Sequence, residues 1–110
     1  MSFQIHITKA AEKDLISAAD YIEFNLCNPK AADDLLDKAD EQIQSLINLP
    51  ERYAIVDDPV LKAWGIRFIQ IGNYLAFYTI SEERQTVYIV RFLYGKRDWI
   101  SILRGSFSLI

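Results

Sequence analysis

The sequence predicts an α+β domain: an N-terminal strand, an antiparallel helical hairpin, a three-stranded antiparallel meander and a short C-terminal helix. Two patterns carry this reading. Residues 9–47 repeat apolar side chains at helical spacing, whereas residues 66–94 are rich in β-branched and aromatic residues interrupted by short turns. Helices gathered ahead of an antiparallel sheet cover one sheet face with the hairpin, and the other face is then expected to stay free.

Phe3, Ile5 and Ile7 alternate along FQIHI, which reads as a short strand with His6 turned away from them. Thr8 stands where a helix cap belongs, and Glu12 and Asp14 favour the positive end of the helix that follows. Leu15, Ala18, Ala19, Ile22 and Leu26 predict a first helix from Lys9 to Asn25, broken by CNPK. Asn28 and Pro29 form a cap and first-position pair for a second helix, whose stripe runs from Ala32 to Ile47 before Pro50. The short connection makes the two helices an antiparallel hairpin.

The stretch LPERYAIVDDPVLKAWG, with Pro50, Pro59 and Gly65, reads as an irregular loop leading toward the sheet. IRFIQI and YLAFYTI are separated by Gly72-Asn73, and YLAFYTI and TVYIVRFLY by SEERQ, so three consecutive antiparallel strands follow. DWISIL closes the chain as a last short helix. Alternation places Arg67 with Ile69 and Ile71, and Arg91 with Val87, Ile89 and Leu93. An arginine on an apolar side is either paired in the interior or aimed into a pocket.

The 110 residues suit one domain, spanning 1–110, which buries roughly two-thirds of its unfolded surface. Cys27 is the only cysteine and His6 the only histidine, so neither an internal disulfide nor a Cys/His zinc cluster is available, and no cofactor is expected. No apolar run approaches the roughly 18 residues that span a bilayer, and the N-terminus lacks a signal pattern, so the protein is expected to be cytoplasmic with no membrane partner. Net charge is −3, but it is divided: residues 1–58 carry five Lys/Arg against twelve Asp/Glu, and residues 59–110 seven against three. Two faces with different partners follow from such a split.

Phosphate-cradling glycine loops, Ser-His-Asp sets and HExxH pairs are absent from the sequence. Asp33, Asp37, Asp40 and Glu41 share a helical face, best read as solvated rather than metal-binding. The chemistry concentrates in VRFLYGKRDW, residues 90–99, where Lys96 and Arg97 leave the last strand beside Tyr94 and Trp99. Cations and flat rings together suit a phosphate and a base of single-stranded RNA. The competing role is a strand-end anchor in which Arg97 pairs with Asp98 and Trp99 packs the core.

The order of elements, with ITKAAEKDLISAADYI, NPKAADDLLDKADEQIQSL, LPERY, GIRFIQIGNYLAFYTI and VYIVRFLYGKRDWISIL, resembles the RelE/ParE superfamily, the toxins of type II toxin–antitoxin modules, also called plasmid stabilisation proteins. The resemblance covers nearly the whole chain. Its specific part is an Arg-x-x-x-x-Gly-x-Tyr strand pair followed by a strand ending in aromatic-Gly-Lys-Arg-Asp. It implies a toxin held in check by a cognate antitoxin, and a target that is either the ribosome with its mRNA or DNA gyrase.

A metal-independent endoribonuclease of that superfamily needs a base, an acid and cations around the scissile phosphate. By resemblance Arg97 matches the phosphate-stabilising arginine, Lys96 a neighbouring basic position, and Tyr94 a position often held by histidine. Arg67 and Tyr74 belong to the pattern shared with gyrase-directed members. Leu75 and Leu103 stand where nucleases carry an arginine and a tyrosine, and Ile66 and Phe68 where one branch carries lysines. The cleavage set is thus thinned to Arg97, Lys96, Arg67 and Tyr94. Three outcomes stay open: mRNA cleavage, gyrase inhibition, and a decayed toxin that acts only as an interaction module.

Overall fold

The computed structural model describes residues 2–110 and has the predicted α+β architecture. Strand β1 spans Gln4–Ile7, helix α1 Lys9–Asp20 and helix α2 Pro29–Gln44. A short helix α3 spans Pro59–Ala63. Strands β2, β3 and β4 span Arg67–Ile71, Tyr74–Ser81 and Thr86–Tyr94, and helix α4 spans Trp99–Gly105. The sheet order is β1-β4-β3-β2, with β1 parallel to β4 and the other pairs antiparallel. The helical hairpin thus carries the chain away from β1, and the meander returns to pair with it.

The caps are the expected ones. Thr8 Oγ1 accepts the Ala11 N–H at 3.2 Å, and Asn28 Oδ1 accepts the Ala31 N–H at 3.1 Å, satisfying donors that each helix start leaves unpaired. Thr8 is fully buried and its hydroxyl also donates to the Ile89 carbonyl at 2.9 Å, which ties the start of α1 to β4. Helix α1 ends earlier than the apolar stripe suggests. Residues Tyr21–Asn25 form a single π turn, and the hairpin closes through Cys27 at φ 52°. Gly72, at φ 61°, supplies the positive φ at the first position of the two-residue β2–β3 turn, as a II′ hairpin needs.

The hairpin covers one sheet face as predicted. Ala11, Ile43 and Leu46 pack on Tyr78, Val87 and Ile89, while Ala18 and Ala39 pack on Ile69, Ile71, Ala76 and Phe92. Small alanines let the helices approach the strands closely, and side chains such as Ile43 and Ile89 each contribute about 2 kcal/mol by leaving water.

Three expectations are corrected. The stretch between α2 and β2 is not wholly irregular: Pro50–Arg52 form a 3-10 turn, and Pro59 at the first position with Asp58 as cap starts α3. The opposite sheet face is not free either. Helices α3 and α4 cover it, with Leu61 and Leu103 sealing Phe77, Val90 and Leu93. Arg104 on α4 donates to Asp58 at 2.7 Å, and that pairing holds the Asp58 carboxyl below its ordinary range against the opposing effect of burial.

The third correction concerns Arg91. Phe77 pairs with Arg91 but Tyr78 pairs with Ile89, so Val90 is an extra residue in a bulge and the alternation of β4 flips there. Val87 and Ile89 face the hairpin, whereas Leu93 faces α4. Arg91 leaves the sheet where β1 has ended and pairs with Asp14 of α1 at 2.6 Å, while its Nη1 donates to Ser106 at 2.7 Å. It joins both layers from the side.

Candidate functional site

Tyr94, Gly95, Lys96 and Arg97 form the turn that leaves β4, closed by the Arg97 N–H donating to the Tyr94 carbonyl at 3.0 Å. Gly95 suits the tight space here. Its N–H donates to the Asn73 carbonyl at 2.8 Å, and a Cβ would stand only 3.3 Å from that oxygen. The turn leaves Lys96 and Arg97 exposed. Ion pairs among the described residues are Lys30–Asp34, Arg91–Asp14 and Arg104–Asp58, and neither Lys96 nor Arg97 belongs to one.

Asp98 does not hold Arg97. It caps α4 instead, accepting the Ser101 N–H. Trp99 is not a free flat face: its ring packs on Phe77 with centroids 5.1 Å apart. The structure therefore divides the expected cluster, sending Trp99 to the core and leaving Tyr94, Lys96 and Arg97 outside.

Behind them a cleft of about 630 Å³ opens between the π turn and the β3–β4 end of the sheet. Tyr21, Ile22 and Leu26 form one wall, and Tyr74, Tyr94 and Arg97 the other. Tyr74 is stacked on Phe92 at 5.1 Å and meets Tyr94 edge-on at 5.6 Å. Burial, with the neighbouring Tyr94 and Tyr21 hydroxyls, pushes the Tyr74 phenol above its ordinary value, so Tyr74 presents a neutral hydroxyl at pH 7. Asp14 reaches the cleft, but its carboxylate is occupied: Oδ2 accepts Arg91 Nε at 2.6 Å and the Phe92 N–H at 3.0 Å, and Oδ1 accepts Arg91 Nη2 at 2.9 Å. The site is rich in donors and carries an unpaired cation.

Arg67 lies elsewhere. It pairs with Tyr78, whereas Tyr74 pairs with Tyr94, so four residues, about 13 Å at 3.3 Å per residue, separate it from the cleft end. Its guanidinium donates to the Glu51 and Tyr53 carbonyls at 3.0 and 2.6 Å. Next to it the buried Tyr78 hydroxyl donates to the Pro50 carbonyl at 2.5 Å. His6 is exposed on β1 with its ring edge-on to Tyr88 at 5.5 Å, and no group of His, Cys, Asp and Glu suited to a metal occurs among the described residues.

The sequence does not mark Tyr21, Leu26 or Asn73 as site residues; Leu26 reads there as part of the helix stripe and Asn73 as part of a turn. The available signal is Tyr21 itself, a large ring off the stripe of Leu15, Ala18, Ala19 and Ile22. What aims it is the π turn, which the sequence does not announce.

Comparison with known proteins agrees with this architecture. A family model described as "ParE toxin of type II toxin-antitoxin system, parDE" matches residues 5–99. A solved structure of a chromosomal ParDE toxin–antitoxin system from P. aeruginosa superposes with a TM-score of 0.70 at 18% identity, covering 86% of this chain and 98% of that one. The RelBE2 toxin–antitoxin complex from Mycobacterium tuberculosis superposes with a TM-score of 0.58 at 20% identity, covering 86% and 99%. At such identities these structures speak for the fold. No curated protein matches the sequence.

Proposed function

The chain belongs to the ParE toxin family of type II toxin–antitoxin systems, and from that premise we propose that it arrests growth by inhibiting DNA gyrase rather than by cutting mRNA, and that a cognate antitoxin neutralises it. One observation carries the choice. The positions where the nuclease branch places its remaining machinery are apolar here, and two of them are sealed in the core: Ile66 is 0% and Leu103 1% exposed. Leu75 and Phe68 pack against the same cluster.

Beside Arg97 the groups able to move a proton are reduced to Lys96 and the Tyr94 phenol. The Asp14 carboxylate is occupied by Arg91, and Arg67 is bound to carbonyls at the far end of the sheet. A guanidinium stabilises charge but neither activates a 2′-hydroxyl nor protonates a leaving oxygen, and no carboxylate or histidine stands beside it to do so. An exposed, unpaired cation beside half-exposed rings is better suited to seating on a protein target. A decayed toxin would share these apolar positions, and it differs in being harmless when expressed without its partner.

The test is induced expression without the neighbouring gene. Trapped gyrase–DNA cleavage complexes are expected, with no codon-linked 5′ ends by primer extension on translated mRNA. Codon-linked ends without trapped gyrase would overturn the reading.

A further inference from the structure

We propose a second site, on the sheet face turned away from the hairpin, that takes a single nucleotide: its phosphate on Arg84 and its base against Tyr88, His6 and Leu109. This goes beyond the toxin reading and does not rest on it. The place is the corner of that face that α3 and α4 leave uncovered, at the Thr86 end of β4 and far from the Tyr94–Arg97 turn.

Strand register builds this corner. Ile5, Ile80 and Val87 face the hairpin, so Gln4 and His6 on β1, Ser81 on β3, and Thr86 and Tyr88 on β4 face the other way. Thr86 pairs with both Gln4 and Ser81, and Tyr88 pairs with His6, which sets these side chains in two rows about 7 Å apart. Residues 109–110 close one side, held there because the Ile110 main-chain oxygen accepts the Lys9 N–H at 3.0 Å. Together they enclose a cleft of about 720 Å³.

The charge in this cleft has one sign. Arg84 is exposed and belongs to none of the ion pairs among the described residues. Its backbone is fixed at the rim, with Ser81 Oγ accepting its N–H at 3.2 Å and the Thr86 hydroxyl donating to its carbonyl at 2.9 Å. No aspartate or glutamate side chain lines the cleft, although the chain is acidic overall. Of the two acids before Arg84, Glu82 borders the hollow beside Trp64 and Gly65 instead, and Glu83 lines neither. A guanidinium with hydroxyl and amide donors near it suits a phosphate. The second row supplies flat and apolar surface: the His6 ring meets Tyr88 edge-on at 5.5 Å, and Leu109 is 41% exposed. Phosphate at the first row and base at the second fits one nucleotide. A strand fits less well, because Arg84 is the only Lys or Arg in the lining and a run of phosphates needs several.

His6 is the only histidine of the chain, so a single imidazole Cε1–H resonance reports on the cleft. Adenosine monophosphate is titrated into the full chain at constant pH, followed by that resonance and by calorimetry. A saturable shift with a dissociation constant below about 1 mM is expected. Inorganic phosphate and adenosine, each carrying part of the ligand, should bind at least about tenfold more weakly. Arg84→Ala, shown to be folded by its thermal melt, should weaken nucleotide binding by a similar factor. Lys13→Ala, which removes a cation on α1 outside the cleft, should bind as the unaltered chain does. No saturable shift up to about 10 mM would overturn the proposal, as would undiminished binding in folded Arg84→Ala or an equal loss in Lys13→Ala. Inorganic phosphate or adenosine binding as tightly as the nucleotide would overturn it too, because one of the two rows would then contribute nothing.

Discussion

The two ends of the β2–β3–β4 meander use the same residue types, tyrosine and arginine, for opposite purposes. At one end Arg67 and Tyr78 turn inward and fasten the 50–53 segment by its carbonyls, and Arg52 does likewise for Ser45 and Asn48. At the other end Tyr74, Tyr94 and Arg97 line an open cleft, and Arg97 has no carboxylate partner among the described residues. Composition does not distinguish the two ends. Satisfaction does: where donors are turned onto carbonyls inside the fold the residue stabilises, and where they face a cleft without an acceptor the surface is available to a partner.

The largest effect is expected where the open end is supported from behind. Asp14→Ala strands the Arg91 guanidinium, whose side chain is only 15% exposed, and removes the acceptor of the Phe92 N–H. A loss of about 3 kcal/mol in urea unfolding is expected. A loss below about 1 kcal/mol would mean that the pair is solvated and does not couple α1 to β4.

Tyr78→Phe sharpens the contrast from the fastened end. It leaves the Pro50 carbonyl without its buried donor, a cost of about 1–3 kcal/mol. It also has a pH signature. Burial pushes the Tyr78 phenol from 10.0 up to about 12, so over that interval the unfolded chain releases the proton that the folded chain keeps. Stability fully present below pH 10 is therefore lost as pH rises toward 12. Chemical denaturation across this range should decline more shallowly in Tyr78→Phe, and an identical slope would contradict the assignment.

The fold was largely legible in the sequence because its signals are local. Thr8, Asn28-Pro29 and Gly72-Asn73 punctuate the chain by chemistry confined to a few neighbouring residues, and the helix and strand periods lie between them. Features that failed to show depend on distant pairing. The Val90 bulge, which sends Arg91 to Asp14, arises from the β3–β4 register, and the burial of Trp99 against Phe77 from how α4 docks.

The site was legible in part for the same reason. Lys96 and Arg97 stand out in a basic half of an acidic chain, and Tyr94 beside them marks the strand end. Arg67 shares the motif but not the place, because a strand pattern gives a side and not a distance along the sheet. Tyr21 and Leu26 belong to the cleft through a π turn that no residue in YIEFN announces.

The most direct measurement sets the two arginines side by side, with unfolding free energy and growth arrest recorded for Arg97→Ala and Arg67→Ala. Arg97→Ala should keep its stability within about 0.5 kcal/mol and lose growth arrest. Arg67→Ala should lose about 1 kcal/mol and still arrest growth wherever it remains folded. A fully toxic Arg97→Ala, or one destabilised as much as Arg67→Ala, would contradict the division of the sheet into a fastened end and a working end.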